Sequence, residues 1–277
     1  MTTVSLSGII DMHIHSAPDV KPRTHHDLQL AEQAAKHGAR AIVIKSHFVP
    51  TMDRAWLVSQ MHPQVQVFGS ITLSPSIGGI NPHAVEAALR LGAKIVWLPT
   101  LFSTRHRSME GKSGGVETVA DGKPVPALKD VLRLVAEYGA VLGTGHLSPA
   151  EIFVVVEEAR TQGVGHIVVT HPEHPVVGMT LPDQRRLVEQ YGVLLERTYW
   201  RPGGKGGFQT NFEVNLNAMK ELGCKSTLVS TDGGMIGLPP WSQMITEYIQ
   251  YLADHGVSSE DIHLMTRRTP ARLLGLE

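Results

Sequence analysis

Short apolar runs recur along this chain, and after each comes a stretch in which apolar positions return every three or four residues. The strand-like runs cover residues 8–15, 39–47, 65–73, 93–100, 140–146, 166–171, 192–198 and 226–232. They are nearly continuous in Val, Ile and Leu instead of alternating, as expected of parallel strands buried on both faces. The intervening stretches carry stop signals: 28–37 ends at Gly38, 82–91 at Gly92, 128–138 at Gly139 and 212–222 at Gly223. Pro149 and Pro182 fall where a first helical turn begins. Eight strand-helix units in 277 residues predict one (β/α)8 barrel domain over 1–277. A doubly wound open sheet is the rival, but the even spacing and the lack of a glycine-rich dinucleotide turn speak against it. An extended loop, 101–126, follows the fourth strand. Its 115–125 stretch, Gly-Val-Glu-Thr-Val-Ala-Asp-Gly-Lys-Pro-Val, reads as a small hairpin over the barrel mouth.

In such a barrel the carboxyl ends of all strands open onto one face, where active sites are built. His13, His15, His47, His146, His171 and Asp232 all stand at strand ends. Side chains two apart in a strand share a face, so His13 and His15 can grip one metal ion. Imidazoles plus a carboxylate suit Zn(II), with Mn or Fe as alternatives. Any one of these histidines alone is more simply read as a core or strand-capping residue. The set resists that reading, because His25, His37, His62, His255 and His263 fall on helices and loops.

Composition narrows the classes. Apolar residues make up 42% and charged residues 18%, enough for one sizeable core. A net charge of -1 gives no footprint for nucleic acid or an anionic membrane. No run approaches transmembrane length, and Asp11 breaks the earliest apolar run too soon for a signal peptide. The single Cys224 excludes an internal disulfide and suits a reducing compartment, so the expected location is cytoplasmic. A homo-oligomer is compatible with all of this.

The strand-end residues resemble the pattern of the amidohydrolase superfamily, whose members carry His-x-His at the first strand, single histidines at the fifth and sixth, and an aspartate at the eighth. His13, His15, His146, His171 and Asp232 match it. The tail Thr269-Pro-Ala-Arg-Leu-Leu-Gly-Leu276 resembles the Asn-Pro-Ala-Arg-Leu-Leu-Gly-Leu ending common there. More narrowly, Asp11-Met-His-Ile-His-Ser-Ala-Pro-Asp19 is similar to a poorly characterised amidohydrolase-like group, from which no substrate carries over. The resemblance implies a metal-dependent hydrolase. The chain departs from the pattern at the fourth strand, Ile95-Val-Trp-Leu-Pro-Thr100, which lacks the bridging lysine or glutamate of many two-metal members. A second-strand histidine is also similar to the polymerase-and-histidinol-phosphatase-like barrels. Those need a carboxylate at the third strand, where this chain has Ser70-Ile-Thr-Leu73. One ion is therefore the default, and two, helped by His47, Lys45 or Glu196, the alternative.

A site holding His13, His15, one further histidine and Asp232 leaves a position for water, whose pKa a metal lowers to about 7. In the superfamily scheme Asp232 takes the water proton and hands it to the leaving group. His171, when not a ligand, donates to the developing oxyanion. The plainer reading of Asp232 is a helix N-cap before Gly233-Gly234, and its strand position favours the metal role. Lys45 lies in the apolar run Ala41-Ile-Val-Ile-Lys45. Binding substrate or pairing with Glu196 ranks first for it, lysine carboxylation second and a Schiff base third. Lys21 and Arg23 in the first loop, Arg105, His106 and Arg107 after the fourth strand, and Arg201 and Lys205 after the seventh form a basic rim. That rim suits a small anionic substrate held by guanidinium forks. Solvated surface is the plainer reading of each member taken singly. Gly203-Gly-Lys-Gly-Gly207 does not fit a phosphate-binding Walker loop and reads as a mobile lid between Trp200 and Phe208. Glu173 and His174, just past the sixth strand, orient ligands or substrate, or belong to an ordinary loop. The expected function is metal-dependent hydrolysis of an amide, ester or lactone bond in a small anionic substrate. A decarboxylase or hydratase on the same barrel is the second reading, and a non-catalytic metal- or ligand-binding barrel the third.

Overall fold

Local signals in the sequence become elements with little displacement. The computed structural model describes residues 4–203 and 207–277. Its strands are β1 Ile10–Ile14, β2 Ala41–Ile44, β3 Gln66–Phe68, β4 Ser70–Thr72, β5 Ile95–Trp97, β6 Val119–Ala120 and β7 Lys123–Pro124. They continue with β8 Val141–Gly143, β9 His166–Val169, β10 Leu194–Thr198, β11 Trp200–Pro202, β12 Phe208–Thr210 and β13 Thr227–Ser230. The helices are α1 Asp27–Lys36, α2 Met52–Met61, α3 Pro82–Arg90, α4 Thr104–Met109, α5 Pro126–Glu137 and α6 Pro149–Thr161. After them come α7 Leu181–Tyr191, α8 Phe212–Leu222, α9 Trp241–Asp254, α10 Ser259–His263 and α11 Thr269–Leu274. Every run read as a strand contains one, and the run at 65–73 holds two, β3 and β4. Helix starts follow their caps. Ser148 closes a capping box with Glu151 ahead of Pro149, and Thr180 caps α7 ahead of Pro182.

The chain divides into two compact units, Met1–Lys45 with Asp53–Gly69 and Arg197–Glu277, and Ser46–Met52 with Ser70–Glu196. In the first, β1 pairs parallel with β2 and β2 with β3. On the other side of β1 lies the segment leaving β13: Asp232 N–H donates to His13 O at 2.8 Å and His15 N–H to Gly233 O at 2.9 Å. Ile9, Ile14, Leu30, Ile42, Ile44 and Val229 fill the core beneath α9, which contributes Met244, Ile245, Tyr248 and Ile249. In the second unit β4, β5, β8, β9 and the start of β10 run parallel in that order, in unbroken register. Their side chains, Ile71, Val96, Leu142 and Val168 among them, are buried. The architecture is thus α/β with parallel sheet, as the nearly continuous apolar runs require.

Two segments have more structure than a plain loop. After β5, the 101–125 segment forms α4 and a two-stranded hairpin in which β6 pairs antiparallel with β7, Asp121 and Gly122 taking positive φ at its turn. After β10, β11 pairs antiparallel with β12, so Trp200, Arg201, Pro202 and Phe208, which flank the expected lid 203–207, stand in a ladder. Gly204, Lys205 and Gly206 of that expected lid lie outside the described residues. Among the described residues no helix is long and apolar enough to cross a membrane.

One carboxylate ties the first unit together. Asp11 Oδ1 accepts from His13 N–H at 3.1 Å and Thr231 N–H at 3.2 Å, and Oδ2 accepts from Thr231 Oγ1 at 2.6 Å and Trp241 Nε1 at 2.9 Å. Asp11→Ala leaves those buried donors without an acceptor and should cost about 3 kcal/mol, against about 1 kcal/mol for Trp241→Phe, which removes one of them. Denaturant unfolding of both variants measures this. A cost for Asp11→Ala no larger than that of Trp241→Phe would remove Asp11 from the centre of the unit.

Candidate metal centre

The pleat of β1 sends His13 and His15 to one side, and the turn leaving β13 brings Asp232 to meet them. His13 Nε2 lies 2.9 Å and His15 Nε2 3.2 Å from Asp232 Oδ1, and all three residues are buried. Among the described residues this is the one group of three whose metal-ligating atoms all lie within 4.8 Å of one another. The backbone is forced to make it. Asp232 takes φ of 48°, in the left-handed region that non-glycine residues avoid. Trp200 Nε1 donates to its carbonyl at 2.6 Å and Thr231 Oγ1 accepts from Gly233 N–H at 3.2 Å, which hold the turn. Gly234, at φ of 97°, passes so close to β1 that a Cβ there would stand 1.8 Å from His15 O.

The protonation states of His15 and Asp232 suit a ligand set. Burial, together with the charge of Arg23, pushes His15 well below the ordinary imidazole range. Burial alone would raise Asp232, but His13, by charge and hydrogen bond, and then His15 hold its carboxyl well below the usual range. A neutral imidazole and an ionised carboxylate are the ligating forms, so the donor set fits a divalent metal. Lys45, buried at the end of β2, brings Nζ within 2.8 Å of His13 Nε2.

The other strand-end histidines belong to the second unit, where they gather. The His146 ring centroid lies 5.0 Å from that of His171 and 6.0 Å from that of His47, and His171 lies 4.7 Å from His174. His47 Nδ1 meets Thr100 Oγ1 at 2.8 Å. His174 Nδ1 accepts from Val176 N–H at 3.2 Å, which places the proton of a neutral His174 on Nε2. His171, like Asp232, has a positive φ, 28°. His106 joins them through His146 (Nδ1 to Nδ1, 2.8 Å), although the sequence had suggested only a basic loop residue. The signal was there: Ser103 caps α4, and Glu110, its C-cap, stands four residues after His106.

The basic rim is more committed than the sequence suggested. Arg23 is a buried partner of Asp19, with Nε at 2.7 Å and Nη2 at 2.6 Å from the same carboxylate oxygen. Arg105 Nε donates to Val176 O at 3.1 Å. Arg201 sits opposite Gln209 in the β11–β12 ladder, and its Nε is buried without a hydrogen-bond partner among the described residues. Glu196 is fully buried on β10. Asp11 was read only as part of a motif, and its role as acceptor between β1, Thr231 and Trp241 was missed.

A family described as "Family of unknown function (DUF6282)" matches residues 8–196, a span that holds every strand-end histidine and stops before Asp232. No curated protein matches the chain in sequence. Among solved structures, an amidohydrolase from Pseudomonas aeruginosa is similar over 97% of this chain and 95% of its own, at 12% identity and a TM-score of 0.67. A 2,6-dihydroxybenzoate decarboxylase from Rhizobium is similar over 98% and 99%, at 12% identity and 0.62. A putative 2-pyrone-4,6-dicarboxylic acid hydrolase from Pseudomonas putida is similar over 99% of both chains, at 16% identity and 0.63. At such identities the likeness is one of fold, and at that level the resemblance to the amidohydrolase superfamily holds.

Gly234→Ala tests how tightly the centre is held. The added methyl cannot occupy its place beside His15 O, and φ of 97° opposes any side chain. The variant should lose about 3 kcal/mol or more of stability in thermal or denaturant unfolding. Parent-like stability would mean that the turn relaxes freely and does not fix the three ligating groups.

Proposed function

We propose, for a chain that belongs to the DUF6282 family of unknown function, a metal-dependent hydrolase that cleaves an amide, ester or lactone bond in a small anionic molecule. In this reading the chain is one (β/α)8 barrel domain over 1–277. The observation that carries it is the buried group of His13, His15 and Asp232, with ligating atoms within 4.8 Å of one another. The donors fit Zn best, with Mn and Fe as alternatives. The superfamily pattern, and not a distance, adds His146 and His171 to the residues that serve the ion. A second ion would draw on His47, Lys45 or Glu196.

A divalent ion bound there supplies Lewis acidity and a water acidic enough to react near neutral pH. The chain's residues supply the rest. Asp232, held ionised beside two imidazoles, accepts the proton of the attacking water and returns it to the leaving group. His171 donates a hydrogen bond to the oxyanion that develops on the substrate carbonyl. Lys45 adds positive charge beside His13, and Arg201 and Arg105 with His174 hold the substrate's anionic group. The substrates named for two proteins of the same fold, 2,6-dihydroxybenzoate and 2-pyrone-4,6-dicarboxylic acid, are small carboxylates and support this class. The first of those proteins is a decarboxylase, which favours carbon dioxide release as the second reading. A panel of amides, lactones, β-keto acids and hydroxybenzoates, scored for carbon dioxide against ring or amide opening, separates the two.

Plasma mass spectrometry of the purified protein should find close to one equivalent of a divalent transition metal. His13→Ala and His15→Ala should lose it. Asp232→Asn, which keeps an oxygen ligand but cannot carry a proton, should retain much of the metal and drop turnover by about 100-fold or more. Protein that stays metal-free after reconstitution with Zn, Mn and Fe(II) would sink the reading.

Once the panel yields a substrate, Arg201→Ala should lower kcat/KM by about 1.5–3 kcal/mol, ten-fold or more, while stability moves by about 0.5 kcal/mol. Arg105→Ala should lower both, because its Nε also holds Val176 O. Parent-like kcat/KM in both variants would leave these arginines with structural roles alone and no part in binding substrate.

A further inference from the structure

Within the first unit, at the amino ends of β1 and β2, lies a recess of about 750 Å³, the size of a small-molecule site. Arg40, His263, Arg267 and Arg268 line it, and Glu277 supplies the one carboxylate among its lining side chains. Three guanidinium groups therefore stand against a single acid. Arg40 is the residue before β2, and Ser5, Ser7 and Gly8, also at the recess, precede β1. Because β1 and β2 run parallel, this is the end of β1 opposite to His15 and its partners. The remaining wall is one helical segment, in which α10 passes into a single π-helical turn, Leu264–Arg268, and then into α11. In an α-helix a residue five positions on stands about 140° round the axis. The wider π-turn brings Arg268 back toward the side of His263, so that it shares the recess with Arg267 and, further on, Ala271. Such turns are rare and recur at functional sites.

The guanidinium groups are anchored, each through part of its donors. Arg267, half-buried, donates from Nε to Ser7 O at 2.9 Å, from Nη2 to Ser5 O at 2.7 Å and from Nη1 to Thr266 Oγ1 at 2.9 Å. Arg40 donates from Nη2 to Leu276 O, and Arg268 from Nη2 to Glu260 Oε1. Among the described residues Arg40 and Arg268 make no other hydrogen bond, so the rest of each fork remains for an occupant of the recess. A side chain already held at one nitrogen loses less freedom when a ligand takes the others.

We propose that this recess is a second ligand site, which takes the phosphoryl group of a small phosphate monoester and is separate from the metal centre. Its donors select the class. A carboxylate offers two oxygens and is satisfied by one fork, whereas a phosphate monoester brings three terminal oxygens and nearly two charges to three guanidinium groups. Free phosphate fills only a small part of about 750 Å³, so the occupant carries an organic body. That occupant is not the molecule turned over at the metal centre, because the length of β1 lies between the two places. It acts instead as a ligand that stabilises the first unit by binding its folded form. The inference shares no residue with the metal reading and stands without it.

Calorimetric titration of the full chain with inorganic phosphate and with glycerol phosphate tests the site. Chelation beforehand removes any metal that could itself bind phosphate. Each probe should then bind with one equivalent, glycerol phosphate the more tightly, while citrate binds at least about ten-fold more weakly than glycerol phosphate and glycerol not at all. Arg40→Gln and Arg268→Gln should each raise Kd about ten-fold, the loss of one charge-assisted hydrogen bond. Both side chains are exposed, so these variants should melt close to the parent and any loss of binding is local. Arg201→Ala, outside the recess, should keep the parent Kd. No binding of either probe at millimolar concentration, or Kd values indifferent to both recess substitutions, would overturn the inference. So would binding lost in Arg201→Ala, citrate as tight as glycerol phosphate, or glycerol phosphate no tighter than inorganic phosphate.

Discussion

The candidate centre depends on one buried carboxylate. Asp11 lies two residues before His13, and its main partner, Thr231, lies one residue before Asp232. By accepting from the backbone N–H groups of His13 and Thr231, Asp11 fixes the register in which β1 meets the exit of β13. Through Trp241 Nε1 it also fixes the start of α9 against the same place. Taking a carboxylate out of water is costly, and burial raises the Asp11 pKa. Thr231 first among its donors opposes that rise. A chain that needed only a packed core could put an apolar residue at this point. Asp11 is explained by where it places its neighbours.

Strain marks the same places. Three non-glycine residues among those described have positive φ: Asp121 in a hairpin turn, and His171 and Asp232 at strand ends. A turn position needs no further account. The other two are residues to which the chemistry is assigned, and each is held in a backbone conformation that non-glycine residues seldom adopt. At Asp232 the holding groups are visible: Trp200 on its carbonyl, Thr231 on the next N–H, and a glycine at 234 that alone permits the close approach to His15. Rigid placement of this kind is what a ligand set requires, since a metal site loosened by about 1 Å loses its geometry.

Histidines in this protein are specified by partners more than by position. His174 keeps its proton on Nε2 because Val176 N–H occupies Nδ1. His47 faces a hydroxyl, His146 another imidazole, and His13 both a carboxylate and an amine. Of these contacts the backbone N–H on His174 fixes a tautomer, and the tautomer determines whether the remaining nitrogen can ligate, donate or accept. Arg23 follows the same rule. Paired with Asp19 in a buried ion pair, it shapes the field around His15 more than it offers a fork to solvent.

The sequence alone determined the strands, most helix limits and a set of six candidate metal residues, His13, His15, His47, His146, His171 and Asp232, of which the structure gathers His13, His15 and Asp232 into one buried group. Those signals are local: apolar runs, capping residues, glycine stops, and the two-residue period that puts His13 and His15 on one face. Helix limits at Phe212–Leu222 and the hairpin turn at Asp121-Gly122 could be read directly, because each is set by residues within a few positions of it. Tertiary structure alone decided the partners. Asp11 reaches Thr231 and Trp241 across 220 and 230 positions, and no period or motif encodes which donor a carboxylate will find at that separation. His106 looked like one of three basic loop residues until α4 set it against His146. The residues flanking the glycine-rich stretch after β10 pair as β11 and β12, a pairing that no local signal announced. Local backbone preference is written in neighbouring residues, whereas hydrogen-bond pairing and protonation state depend on what the fold brings within about 3 Å.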